Sequence, residues 1–288
     1  MIKCAVLAFY CAPGADERLQ SKTMPEPRNY QTEAIIIRKT KLGEADRILT
    51  LFTPHLGKIQ AVAKGVRRPR SKMAGHLELL THSLVSLARG RNLETVTGSQ
   101  TINSFLLIKN DLWLTSCALY LAELVNQFTV DDTQNYPLFQ LLLTTMQNLC
   151  QPGSKELTLR YFEMHLLETV GYRPELQQCV TCHKTLEPVI NAFCPATGGM
   201  LCPTCSLGQT FIYTLSVNAQ KVLRVLQSGD YETISRLKID EGLFNEVERV
   251  MGGYIRYLLE RDIKSAAWRD KLRAEIARTT STTAGNNL

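Results

Sequence analysis

Cys179-x-x-Cys182 and Cys202-x-x-Cys205, with nineteen residues between the pairs, restrict what this chain can build more than any other feature. Two thiols at i and i+3 on a tight turn can grip one ion, and two such turns complete the tetrahedral sulfur set that zinc favours. The spacing falls in the C-x2-C-x15–20-C-x2-C class, which leads us to expect one Zn2+ held by Cys179, Cys182, Cys202 and Cys205. Pro203 and the Gly198-Gly199 pair suit knuckle and hairpin geometry around an ion. A closed four-thiolate shell leaves no position for water, and its negative charge weakens the ion as a Lewis acid. The zinc therefore reads as structural. Cys194 lies between the pairs; because zinc takes four ligands, it is assigned to packing, with His183 as the alternative ligand.

The cysteine stretch interrupts a helical grammar. "DLWLTSCALYLAELVNQFT" places apolar residues at helical spacing behind a capping Asp111, and "PLFQLLLTTMQNLC" opens on Pro137. "SKELTLRYFEMHLLETVGYRP" runs from a Ser154 cap to Gly171 and Pro174. Helices resume with "SVNAQKVLRVLQSGD" and "EGLFNEVERVMGGYIRYLLERDIKS". This predicts a helical domain over residues 108–265, interrupted by an insertion at 175–210, with 266–288 left as a tail whose end "RTTSTTAGNNL" is disordered.

Residues 30–107 read differently. "TEAIIIRKT", "DRILTLFT", "GKIQAVAKG", "HSLVSLARG" and "LETVTGSQTINSF" are short strands punctuated by Gly57, Gly65, Gly90 and Gly98, the pattern of a small barrel. In the second strand Ile48, Thr50 and Phe52 share one face, and Arg47, Leu49 and Leu51 share the other. This segment carries a net charge of +7, while the rest of the chain sums to −1, so a polyanion would bind here. "AKGVRRPRSKMAG" holds Lys64, Arg67, Arg68, Arg70 and Lys72 within nine residues and no acid among them. Guanidinium groups on such a loop suit phosphate oxygens without demanding a base sequence. Arg38, Lys39, Arg47, Lys58, Arg89 and Arg91 are assigned to the flanking face of the same DNA-binding surface.

Nine cysteines, an odd number with four in metal spacing, point to a reducing compartment and hence the cytoplasm. The N-terminal "MIKCAVLAFYCA" has a short apolar run but no A-x-A-like cleavage site, so residues 1–29 read as a poorly ordered extension. No run is long and apolar enough to span a bilayer, so no membrane partner is expected. Neither a Gly-x4-Gly-Lys-Ser/Thr loop nor a G-x-S-x-G elbow occurs. "HLE" at His76–Glu78 superficially matches a zinc deaminase, but it lies far upstream, and Leu201 rather than Pro precedes Cys202. No enzyme is read here. Arg160, Arg173 and Arg224 could line a groove for an acidic peptide, although solvated helix faces explain them equally.

The ordered pair "GEADRILTLFT" and "GKIQAVAKGVRRPRS", together with "GYRPELQQCVTC" and "FCPATGGMLCPTC", resembles the bacterial recombination mediator RecO family from about residue 30 to 265. The resemblance implies an α+β multidomain chain: an N-terminal OB-fold β-barrel, then an α-helical domain with an inserted four-cysteine zinc module. It implies binding of single- and double-stranded DNA, annealing of complementary strands, and work with RecR to place RecA on strands coated by single-strand-binding protein. That coat protein would be contacted through its acidic C-terminal peptide. A zinc-ribbon RNA- or ribosome-binding factor is the alternative reading.

Overall fold

The computed structural model describes residues 28–285, and the expected N-terminal extension lies outside the described residues but for its last two positions. Five strands form a closed barrel in the order β1-β2-β3-β5-β4: β1 (Asn29–Leu42), β2 (Asp46–Thr53), β3 (Gly57–Ala63), β4 (His82–Ala88) and β5 (Glu94–Asn103). The fourteen residues of β1 let its first half pair with β4 (Ile35 opposite His82) and its second with β2 (Thr40 opposite Ile48). A parallel pairing of β3 with β5, Ala61 opposite Glu94, closes the ring. The register of β1 slips between Ile36 and Arg38, and this bulge brings Arg38 opposite Thr50.

Ala34, Ile36, Leu49, Leu51, Ala61, Val85 and Leu87 fill the barrel interior. The opposite face of the same strands is covered too: Ile35, Ile37 and Phe52 join a second core shared with the helices, where Phe52 meets the Phe139 ring at 6.0 Å. The alternation in β2 is therefore real, but both of its faces are buried from Leu49 onward.

A short α1 (Leu106–Asn110) leads to α2 (Leu112–Phe128), whose cap Asp111 accepts the Leu114 N–H at 2.8 Å. Next come α3 (Tyr136–Leu149), with Pro137 in its first turn, and α4 (Lys155–Thr169), capped by Ser154. The insertion forms a three-stranded sheet ordered β7-β6-β8, from β6 (Asn191–Cys194), β7 (Gly199–Leu201) and β8 (Tyr213–Leu215), with a single-turn α5 (Pro203–Ser206). Helices resume as α6 (Val217–Ser228), capped by Ser216 and ended at Gly229, then α7 (Tyr231–Ser235) and α8 (Glu241–Leu259).

The last segment corrects the sequence expectation: residues 264–285 form helix α9 (Lys264–Gly285) instead of a tail starting at 266. "SAAWRDKLRAEIAR" is rich in good helix formers, and α9 lies against α2. The Arg269 guanidinium stacks on the Tyr120 ring at 4.5 Å, and that of Arg273 on Trp113 at 5.6 Å. Glu123 of α2 accepts the Lys264 and Ser265 N–H groups at the start of α9, at 3.1 and 2.8 Å. Beneath this contact Arg160 is buried with Glu163 at 2.6 Å, and Glu163 accepts the Tyr120 hydroxyl at 2.6 Å. Arg269 and Arg273 converge on Glu248 of α8. Burial pushes the Tyr120 hydroxyl well above its ordinary pKa, so it stays a donor to Glu163. Among the described residues no helix is long and apolar enough to cross a membrane.

Candidate metal centre and nucleic-acid surface

The first cysteine pair sits on a knuckle in which Lys184 O accepts the Cys179 N–H (2.9 Å) and Cys179 O accepts the His183 N–H (2.8 Å). The second pair is shaped by α5: Cys202 precedes Pro203, and Cys202 O accepts the Ser206 N–H at 3.0 Å. Gly199 is needed between them, because a Cβ there would meet Val180 Cγ1 at 2.4 Å. The four sulfur atoms of Cys179, Cys182, Cys202 and Cys205 come within 4.8 Å of one another, and Cys182 Sγ lies 3.9 Å from Cys202 Sγ. Tetrahedral Zn–S bonds of about 2.3 Å require sulfur–sulfur edges of about 3.8 Å, so the set fits one such ion.

The charges fit as well. Burial pushes the Cys179 thiol up, but amide hydrogen bonds from Cys182, Cys202 and Thr181 outweigh it and bring the thiol down to about 6. Cys205, hydrogen-bonded to Cys202 and close to the other thiols, is pushed up to about 12. Ionising Cys205 beside the other thiols is thus opposed, and a divalent cation at the centre of the four sulfurs removes that opposition. Cys194 stands outside the set, buried in the helical core beside Phe193. His183 adopts a left-handed backbone at the knuckle tip (φ 57°) and does not belong to the cluster. His76 and Glu78 lie on the barrel side, bonded to Thr101 and Lys39 respectively.

The expected basic residues divide into groups. Lys64, Arg67, Arg68, Arg70 and Lys72 are all exposed on the loop after β3, with no carboxylate partner among the described residues. The loop is anchored: Val66 is buried in the barrel core, Ala45 O accepts the Arg67 N–H (2.9 Å), and Asp46 accepts the Gly65 N–H (2.7 Å). The cations thus stand on a fixed base against the β1–β2 turn. Arg38 is exposed on the barrel's outer face, where it lines a hollow with Thr40, Thr50 and Gln60. Lys39 is partly spent on Glu78 at 2.6 Å, and Arg47 is half-buried. Arg89 stacks over the Tyr30 ring at 5.4 Å, while Arg91 borders a hollow that also holds Glu94, Asp131 and Asp132.

Lys58 corrects the sequence reading. It is buried at the junction of barrel and helices, donating to Asn126 O (2.9 Å) and Thr129 O (2.7 Å), with Asp131 at 3.1 Å. A lysine on a strand of a cationic barrel reads as surface; the residues that cover it lie some seventy positions later. Lys58→Ala is expected to lower stability by about 1.5–3 kcal/mol, the usual worth of hydrogen bonds from a charged group. DNA affinity should stay within about twofold, within the scatter of an exposed contact. A loss of affinity larger than the loss of stability, in paired titration and denaturation, would restore it as a contact. Arg160, Arg173 and Arg224 do not form one groove: Arg160 is buried, Arg173 pairs with Glu168, and Arg224 donates to Leu176 O.

Sequence reasoning missed a cleft of about 670 Å3 between barrel and helices, lined by Arg38, Lys39, Leu119, Arg261, Lys264 and Trp268 among others. The available signal was Lys264 and Trp268 at i and i+4 on one helix face, a pair divided by the boundary drawn between the helical domain and the tail at 265/266.

The comparisons agree with this architecture. The family described as recombination protein O N terminal matches residues 26–105, and recombination protein O C terminal matches residues 109–267. A DNA repair protein RecO from Dehalococcoides mccartyi (strain CBDB1) is 48% identical over 250 residues, covering 87% of this chain and 98% of that protein. One from Roseiflexus sp. (strain RS-1) is 42% identical over 254 residues, 88% and 89% of the two chains. A third, from Symbiobacterium thermophilum, is 33% identical over 248 residues, 85% and 98%. With family models matching residues 26–105 and 109–267 and relatives 33–48% identical over most of both chains, the chain belongs to the recombination protein O (RecO) family.

Proposed function

We propose that this protein is a non-enzymatic DNA-binding recombination mediator, acting in the cytoplasm on nucleoid DNA. It binds single- and double-stranded DNA through the loop bearing Lys64, Arg67, Arg68, Arg70 and Lys72 and through the Arg38 face of the barrel. It anneals complementary strands, because cations that neutralise phosphates on both strands lower their mutual repulsion. It assists RecR in placing RecA on strands coated by single-strand-binding protein, whose acidic C-terminal peptide docks on the helical domain. One structural Zn2+, held by the four cysteines, fixes the insertion.

The observation that carries this reading is the exposed, anchored loop whose five cations have no acid partner among the described residues. Family membership supports it. The test is strand annealing and binding with R67E/R68E/R70E. Removing three phosphate contacts should flatten the slope of log K against log salt by about 3 on duplex DNA. Affinity near 0.1 M salt should fall about 10- to 100-fold, with annealing lost in step. Unchanged annealing would remove the loop as the surface, and tighter binding to RNA than to DNA would favour an RNA-directed factor instead.

A further inference from the structure

The cleft between barrel and helices combines an aromatic ring, an apolar lining and unpaired cations. Trp268, on the first turns of α9, is 38% exposed, whereas Arg269 beside it is 3% exposed, so the ring is open where its neighbour is packed. Ile37, Leu79 and Leu119 supply apolar lining. Arg38, Arg261 and Lys264 border the same space, and none has a carboxylate partner among the described residues. The acids on the walls are already used. Glu123 spends both carboxylate oxygens on the Lys264 and Ser265 N–H groups and the Ser265 hydroxyl, and Asp262 lies 3.2 Å from Arg256. The cleft therefore offers a π-face and an excess of positive charge, Arg38, Arg261 and Lys264 against the hydrogen-bonded Glu123 and the Arg256-paired Asp262.

It is also continuous with the surface described above. Arg38 and Asn126 line both this cleft and the hollow formed by Thr40, Ile48, Thr50 and Gln60 on the outer face of β1, β2 and β3, where Asp131 is the one acid and is paired with Lys58 at 3.1 Å. From Arg38 the strand runs about 13 Å, at some 3.3 Å per residue, to Leu42. Beyond it lies the β1–β2 turn, where Gly43 O accepts from Arg67 Nη1 at 3.1 Å. One track thus leads from Trp268 across Arg38 and a polar strand face to the cationic loop.

We infer that this track is a single-strand path, in which an unpaired base stacks on Trp268 while Arg38, Arg261 and Lys264 hold the flanking phosphates. Stacking on an aromatic ring tolerates any base, and backbone cations add affinity without sequence preference. A base stacked inside a paired duplex presents no free π-face, so Trp268 discriminates single strands from duplex while the loop serves both. This inference rests on the DNA-binding reading, and the two can fail separately.

The experiment uses the full chain and an oligothymidylate of about 16 nucleotides, the upper site size for one OB barrel. Trp268→Ala should weaken its binding about 5- to 150-fold, the range for loss of one stacked base, and leave duplex affinity unchanged. Trp268→Phe should recover most of the loss. In a Trp113→Phe background Trp268 is the sole tryptophan, and its fluorescence should be quenched by the oligonucleotide and not by duplex. If Trp268→Ala binds the oligonucleotide like the parent while R67E/R68E/R70E does not, the path is wrong and the loop stands. If the parent binds neither nucleic acid, the DNA-binding reading itself fails. Quenching by a short acidic peptide with a free C-terminus, and not by the oligonucleotide, would overturn the path in favour of a peptide groove.

Discussion

Cys202→Ser is expected to yield a chain that no longer retains the one metal ion, proposed to be zinc, of the four-cysteine centre and is cut by proteases between residues 175 and 215. Three sulfurs do not close a tetrahedral structural site, and such sites contribute their binding energy directly to folding, about 10–16 kcal/mol in isolated zinc-finger peptides near pH 7. The damage should not stop at the insertion. Phe193, Met200, Leu201 and Leu215 belong to the same core as the helices, and Phe193 meets Tyr254 of α8 edge-on at 5.2 Å. The helical domain should therefore melt earlier. The barrel interior forms a separate hydrophobic cluster, so it should persist and keep the phosphate contacts of its loop. Metal analysis, limited proteolysis and DNA titration together test this division. Complete loss of DNA binding by a chain whose barrel is still folded would show that the metal module is part of the binding surface.

The second large effect belongs to the buried charges beneath α9. Glu163→Ala would leave Arg160, 1% exposed, without its 2.6 Å partner and strip the Tyr120 hydroxyl of its acceptor. Removing one partner of a buried ion pair costs about 3–5 kcal/mol, and here the more distant Glu248, 3.6 Å from Arg160, places the loss toward the lower end. For a chain of this size that lowers Tm by about 6–20 °C. The double variant R160L/E163L should recover most of the loss, because apolar isosteres of a buried pair are often neutral or stabilising. Thermal melts in a Trp268→Phe background, where Trp113 under Arg273 is the sole tryptophan, report on this region by fluorescence. A Glu163→Ala chain that melts with the parent would mean that the network does not hold α4 to its neighbours.

Much of this architecture is local in origin and so could be read from the chain. Asp111, Ser154 and Ser216 each cap the helix their sequence announces, since a cap needs only the next three residues. The cysteine cluster was legible because ligand spacing encodes geometry. Other features depend on distant partners. Lys58 sits on a strand like any surface lysine until Asn126 and Thr129 cover it. Arg160 looks like a solvated helix residue until Glu163 and Glu248 enclose it. The bulge that brings Arg38 opposite Thr50 has no glycine to announce it. Helix α9 was hidden by its threonine-rich end, although its first half has a helical composition.

Gly57 and Lys58, adjacent in β3, have a mechanical consequence. Gly57 has φ of 68°, and a Cβ on it would come within 2.0 Å of Thr133 O; its neighbour's ammonium is tied to two helical-domain carbonyls. The glycine lets the two backbones approach closely, and a shift between them would strand the Lys58 charge. The two halves are thereby set at one angle like a fixed-jaw gauge rather than a hinge, so on the proposed path a single strand would have to conform to the protein's spacing. Any change in that spacing during evolution would require coordinated change on both sides of the joint.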